Sequence, residues 1–214
     1  MLSEVKLVTL GVSDLDQACA FYVRAMGYQV EESGPVPATL APLWRFDPAL
    51  GGRYAVVAAD GSGLGRIRLV QFDAPGQRLW SEQIRYNGTG YYALNFRCRD
   101  AIATMEAITG AGGSASHEPS YWEVNEQVAV RDSMNQDPDG ICLDVFSYDR
   151  GGELRGPLDT EVSVLQTVAI ATRDVPRSAA FYRGLGFEVL FDRVLDFPGL
   201  QALLQDMGRP GQAG

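Results

Sequence analysis

The sequence predicts an α+β fold built from repeated βαβββ units, and two observations carry the prediction. The first is a segment that occurs twice, 160 positions apart. Val12-Ser-Asp-Leu-Asp-Gln-Ala-Cys-Ala-Phe-Tyr22 ahead of Met26-Gly27-Tyr28 returns as Thr172-Arg-Asp-Val-Pro-Arg-Ser-Ala-Ala-Phe-Tyr182 ahead of Leu185-Gly186-Phe187. The second is the framing of each copy. An apolar strand-like run precedes it (residues 5–12 and 164–172), and an extended run follows it (28–32 and 187–192). Such a repeat means one supersecondary unit used more than once.

In the first unit the leading strand stops at Ser13-Asp14, either of which can accept hydrogen bonds from the free N–H groups of the next helix. In that helix Leu15, Ala18, Cys19 and Tyr22 recur at three- and four-residue spacing, which makes one apolar stripe. Gly27 ends it where a left-handed residue is needed. Phe21, Tyr22, Phe181 and Tyr182 lie on the two repeated helices and are assigned to the core. Residues 34–37 and 47–52 read as loops. Strands follow over 54–59 and 66–72, joined by a glycine-rich turn at 60–65 that suits a hairpin. That turn is no phosphate loop, since it lacks the Lys-Ser/Thr ending and joins two strands.

A more diverged second unit spans about 90–148. A strand over 92–98 leads into a helix opened by Arg99-Asp100. A turn at 111–114, a strand over 126–132 and Asp137-Pro-Asp-Gly140 then precede a strand over 141–146. Pro second and Gly fourth fit a type I turn. Residues 73–89 join the two units, with Trp80 and a short helix. The domain boundaries expected are a paired domain over 1–149, a polar, glycine-rich linker over 150–162, and a partial domain over 163–214. In that last part residues 203–212 resemble the strand and turn at 57–65, and the counterpart of 66–72 is missing. A sheet lacking a strand leaves an open edge. Either the product is truncated, or a partner chain completes the edge, as in a homodimer.

A net charge of −9 argues against nucleic acid or an anionic membrane as partner. No apolar run approaches the roughly 20 residues that span a bilayer. The start shows no secretory signal, and three cysteines without CxxC spacing read as reduced thiols, so a cytoplasmic location is expected.

A strand, S/T-x-D, a helix with Phe-Tyr near its end, Leu/Met-Gly-Phe/Tyr, and later Asp-Pro-Asp-Gly before a final strand resemble the vicinal oxygen chelate superfamily. That group includes glyoxalases, bleomycin-resistance-type binding proteins and extradiol dioxygenases. The resemblance covers residues 5–148 as a pair of units and 163–214 as a partial one. It implies paired βαβββ modules forming a cupped, partly open barrel-like sheet with helices outside, plus an incomplete third module. It also implies a divalent metal in the central cavity, held by His on a leading strand and Glu on a last strand. Carried onto this sequence, the His positions are Leu7, Ala93 and Thr167, and the Glu positions are Asp144 and Val70. One carboxylate among the four positions of the paired units is too few for a divalent site. The expectation is therefore no metal and no other cofactor.

The candidate site residues come from strand alternation. Asp144 stands between Leu143 and Val145 and Arg68 between Ile67 and Leu69, so each points away from its apolar neighbours toward the cavity. Asp144 is the candidate proton carrier and Arg68 the candidate holder of an anionic oxygen; alternatively the two pair with each other and merely fill the site. Thr9, Trp44, Tyr54, Tyr92, Asn95, Tyr121 and Trp122 are the candidate ligand-binding residues, the aromatics suiting an apolar or aromatic molecule. His117, the only histidine, reads as a solvated loop residue, and Cys142 as an inert thiol of the same parity as Asp144. Three functions stay open: a metal-independent lyase or isomerase, a non-catalytic binder of a small molecule, and a metal-dependent glyoxalase or dioxygenase.

Overall fold

The computed structural model describes residues 4–47, 49–59, 61, 63–74, 89–115, 117–190 and 192. Within the first unit the chain runs β1 (Leu7–Gly11), α1 (Leu15–Met26), β2 (Gln29–Pro35), α2 (Ala41–Trp44), β3 (Gly52–Ala58) and β4 (Arg66–Phe72). The second unit contains β5 (Gly90–Arg97), α3 (Ala101–Gly110), β6 (Ser114–Ala115), β7 (Ser120–Asn125), β8 (Val128–Gln136) and β9 (Cys142–Arg150). The third contributes β10 (Thr167–Ala171) and α4 (Val175–Gly184).

The helix boundaries follow the predicted chemistry. Asp14 caps α1 by accepting from the Gln17 N–H at 3.0 Å, Asp100 caps α3 and Asp174 caps α4. Gly27 takes the left-handed conformation at φ 70° that closes α1. The strand expected over 126–132 is longer, and β7 pairs with it as a hairpin that the sequence reading lacks. The expectations for residues 75–88 and 193–214, the joining helix and the absent last strand among them, lie outside the described residues.

Among the described residues the strands form two sheets and no closed barrel. One has the order β1-β4-β3-β2; the other has β10-β5-β9-β8-β6, with β7 also paired to β8. Each sheet carries its helix on one face: α1 on the first, α3 on the second. These two helices touch, so the helix-covered sides of both sheets share one apolar core. Tyr22, Tyr28, Phe21, Phe96, Ile67, Ile108 and Leu143 are its largest fully buried members. Phe181 of α4 does not join it. At 62% exposure it corrects the core assignment made for the second copy of the Phe-Tyr pair. Among the described residues α4 has no facing helix such as α3 gives α1.

The segment expected as a linker contains a single 3-10 turn (Gly152–Arg155) and ends firmly attached. Ser163 N–H donates to Arg97 O, Tyr28 Oη donates to Ser163 O at 2.6 Å, and Leu165 N–H donates to Gly65 O. The last contact needs glycine at 65. A Cβ there would stand 2.6 Å from both the N and the O of Leu165, and φ is +53°. Among the described residues no helix is long and apolar enough to cross a membrane.

Gly65→Ala is expected to lower unfolding stability by about 2–4 kcal/mol, because backbone strain and a backbone clash add. Gly63→Ala, at φ +74° with open space around the new methyl, is expected to cost only about 1 kcal/mol. Urea unfolding of the two variants checks the difference, and equal losses would rule out the Leu165 contact as its cause.

Candidate functional site

Because the helix-covered faces meet each other, the bare faces of the two sheets look away from each other. The predicted site residues are therefore divided. On the first sheet Thr9 lies beside Arg68, which in turn lies beside Val56, two residues from Tyr54. On the second, Asn95 is in register with Asp144, and Met134 faces Asp144 from β8. Arg68 and Asp144 form no ion pair, and each keeps a sealed polar atom without a partner, Nε in one and Oδ1 in the other. The Arg68–Asp144 pair weighed from the sequence is thus corrected: the two side chains belong to different faces.

The first face holds a cavity of about 190 Å³. Val36, Pro37, Thr39 and Leu40, in and before the 3-10 turn leading into α2, roof it, and Trp44, Tyr54, Glu32 and Arg68 complete the wall. The Arg68 guanidinium lies 5.8 Å from the Trp44 ring centroid and 5.7 Å from that of Tyr54, a cation between two π faces. No carboxylate among the described residues pairs with it. Tyr54 Oη donates to Glu32 Oε1, which raises the phenol above its ordinary value. The cavity thus offers an apolar wall, two aromatic rings and one uncommitted cation. Glu32, Thr39 and Leu40 were not singled out in the sequence, since the turn that brings them over the sheet carries no distinctive motif.

The second face is acceptor-rich. Burial pushes the Asp144 carboxyl up to about 7, and the Asp132 carboxylate adds to the rise. Asp132 is also raised by burial, partly offset by the Trp122 Nε1–H that it accepts at 2.8 Å. Sealed atoms without partners here are Asn95 Oδ1, Asp132 Oδ1, Asp144 Oδ1 and His117 Nε2. His117 is therefore no freely solvated loop residue. Its Nδ1 bonds the Glu118 carbonyl at 2.7 Å. Tyr92 sits where the β5–β10 register breaks, and Cys142 is half-buried at the start of β9. Tyr121 is 46% exposed and bonded to Glu123, on the rim.

Two βαβββ units with this motif order decide the family, and the family model agrees over residues 5–145. The chain belongs to the Glyoxalase/Bleomycin resistance protein/Dioxygenase superfamily. Among solved structures it is similar to a glyoxalase family protein from Bacillus cereus. Identity is 19% and TM-score 0.57, over 69% of this chain and 95% of that one. It is also similar to glyoxalase I from Zea mays, at 20% identity and TM-score 0.59, over 92% of this chain. It spans 59% of the Zea mays chain. At these identities the likeness is one of fold. No curated protein matches it.

The superfamily's metal positions do not fit a divalent ion in this chain. Leu7, Val70 and Ala93 carry no donor atom on their side chains, Thr167 offers only a hydroxyl, and Asp144 is the one carboxylate among these positions. Among the described residues no three His, Cys, Asp or Glu side chains come together as metal ligands.

The raised Asp144 carboxyl has a thermodynamic consequence. Between the unfolded value near 4 and about 7 the folded chain holds an extra proton, so this residue's contribution to stability falls as pH rises through that window. Asp144→Asn is expected to raise unfolding stability by roughly 2–4 kcal/mol near pH 8 and to change it little near pH 4. Denaturant unfolding at the two pH values checks this; an equal effect at both would refute a buried, titrating carboxyl.

Proposed function

We propose that this chain binds a small apolar or aromatic anion on the bare face of its first sheet, without a metal ion. Arg68 holds the anionic group, and Trp44, Tyr54 and Leu40 contact the apolar body. The single observation that supports this reading is the state of Arg68. Its Nε is sealed from solvent without a partner, no carboxylate pairs with it, and two aromatic rings flank it. A guanidinium nitrogen sealed from solvent without a partner is costly, and an anionic oxygen offers the bidentate geometry that relieves it. The Tyr54–Glu32 hydrogen bond steadies one wall so that the ring stays beside the cation. Binding of this type needs no chemical step.

A second reading is a metal-independent lyase or isomerase with Asp144 as the group that moves a proton. It is favoured by one observation: a carboxyl raised to about 7 is poised for general acid–base work near neutral pH. In that case the substrate lies on the second face, against Asn95 and Trp122. Asp144→Asn should then abolish turnover while leaving Arg68-dependent binding unchanged. Turnover that survives the substitution refutes the role.

For the binding reading the probe is benzoate, followed by calorimetry or tryptophan fluorescence. Arg68→Gln is expected to weaken benzoate about 10- to 100-fold, as the loss of a charge-assisted hydrogen bond of about 1.5–3 kcal/mol requires. Arg68→Lys should fall between, and uncharged benzamide should bind both forms alike. Equal benzoate affinity with Gln at 68 would refute the assignment.

A further inference from the structure

We propose that the ligand of the first face is a single-ring zwitterion, with its carboxylate on Arg68 and an ammonium group at the opposite end on Glu32; this rests on the binding reading above. The sheet puts these two side chains in one row. Glu32 of β2 faces Val56 of β3, and Val56 faces Arg68 of β4. Both line the cavity of about 190 Å³, as does Tyr54 of the intervening strand. The cavity therefore has a cation on one wall and a carboxylate on the other. A ligand with an anionic group alone answers only the first.

A β-bulge brings the carboxylate there. Val30 faces Val57 and Glu32 faces Val56, so Glu31 stands between them as an extra residue. In a regular strand adjacent side chains point to opposite faces, and an inserted residue re-aims one of them. Here both glutamates serve the bare face. Glu31 Oε2 lies 3.9 Å from Arg66 Nη1, and Glu32 Oε1 accepts from Tyr54 Oη. Arg66 and Arg68 are alternate residues of β4 and share that face. Arg66 is thus matched with a carboxylate of its own, whereas Arg68 pairs with none among the described residues.

The Tyr54 side chain accounts for the difference. Its hydroxyl occupies one Glu32 oxygen, and its ring lies 5.7 Å from the Arg68 guanidinium, so it stands between acid and base. The two charges of the row are held apart in a shared cavity. Arg68 lacks an anion, and Glu32 has a second oxygen beyond the one that Tyr54 bonds. The strands that carry them lie about 10 Å apart, two strand spacings. An α-amino acid, whose ammonium and carboxylate share one carbon, is too short for that span. A ring with charged groups at opposite ends suits it, and one ring fits the volume, since a cavity of about 150 Å³ admits benzene. Trp44 and Tyr54 supply the aromatic walls.

Calorimetry with 4-(aminomethyl)benzoate and with 4-methylbenzoate, which lacks the ammonium, is the test. The aminomethyl compound is expected to bind about 3- to 5-fold tighter, the scale of an ion pair at a solvent-exposed carboxylate. Glu32→Gln, whose amide oxygen still accepts from Tyr54, should remove that preference. Phenylalanine should gain nothing over 3-phenylpropanoate. Tyr54→Phe should weaken 4-methylbenzoate by freeing Glu32 to pair with Arg68, and adding Glu32→Gln should restore it. Equal binding of the two benzoates, a preference that survives Glu32→Gln, an equal gain for phenylalanine, or Tyr54→Phe binding 4-methylbenzoate as the wild type does overturns the inference. If Arg68→Gln weakens benzoate while the aminomethyl preference is absent, the zwitterion alone falls and the binding reading stands. Benzoate affinity indifferent to Arg68→Gln overturns the binding reading itself.

Discussion

The hydrogen bond from Tyr22 to Asp137 fixes how the two units meet, and the rest of the architecture depends on it. Tyr22 is fully buried on α1, and its Oη donates to Asp137 Oδ2 at 3.1 Å. Asp137 opens the Asp-Pro-Asp-Gly turn of the second unit, and its other oxygen accepts from the Asp139 and Ile141 N–H groups. One residue before α1's capping aspartate, Ser13 bonds Asp139 Oδ1 through both N–H and Oγ. The Ser-Asp and Phe-Tyr signature of one unit therefore grips the turn signature of the other. Burial raises Asp137 to about 6, so this clamp sits in a poorly solvated setting where an unmatched partner is costly.

From that clamp follows the division of the molecule's chemistry. Once α1 and α3 are held together, the apolar faces of both sheets are spent on one core. Whatever recognises a ligand must use the faces left bare. These differ in character: the first offers a cation between aromatic rings, the second two buried carboxyl groups, Asp132 and Asp144, with the Trp122 indole N–H on one of them. A single chain thus presents two chemically different surfaces.

How much of this was legible depended on whether the deciding contact is local. Caps at Asp14 and Asp100, the left-handed stop at Gly27 and the glycine-rich hairpin are local events, and the sequence states them directly. Strand alternation also placed Arg68 and Asp144 on bare faces. It could not say whether those faces look at one another, because that depends on which helix packs on which. The β7–β8 hairpin escaped for a related reason. Its turn at Glu126-Gln127 contains neither Gly nor Pro, and is set by Asn125 Oδ1 accepting from the N–H groups of Gln127 and Val128. An Asx side chain in place of Gly leaves a fainter mark on the sequence. His117 was misplaced likewise, since polar neighbours in sequence said nothing of the sheet beside it.

The repeated Phe-Tyr pair separates what a motif encodes from what the fold adds. Phe21 and Tyr22 meet edge to face at 5.2 Å between centroids, and Phe181 and Tyr182 do the same at 5.3 Å. Locally the two copies are one structure. Yet Phe21 is 1% exposed and Phe181 is 62% exposed, and no residue of α4 is buried. The motif therefore specifies a helix end and a ring geometry, and burial comes from a second helix. α1 has that neighbour in α3. Among the described residues α4 relies instead on Tyr182 against Phe187 at 5.4 Å, and on β10 holding the edge of β5. The leading strand, which pairs in the third unit without a packed helix behind it, is thus the part of the repeat that makes contact on its own.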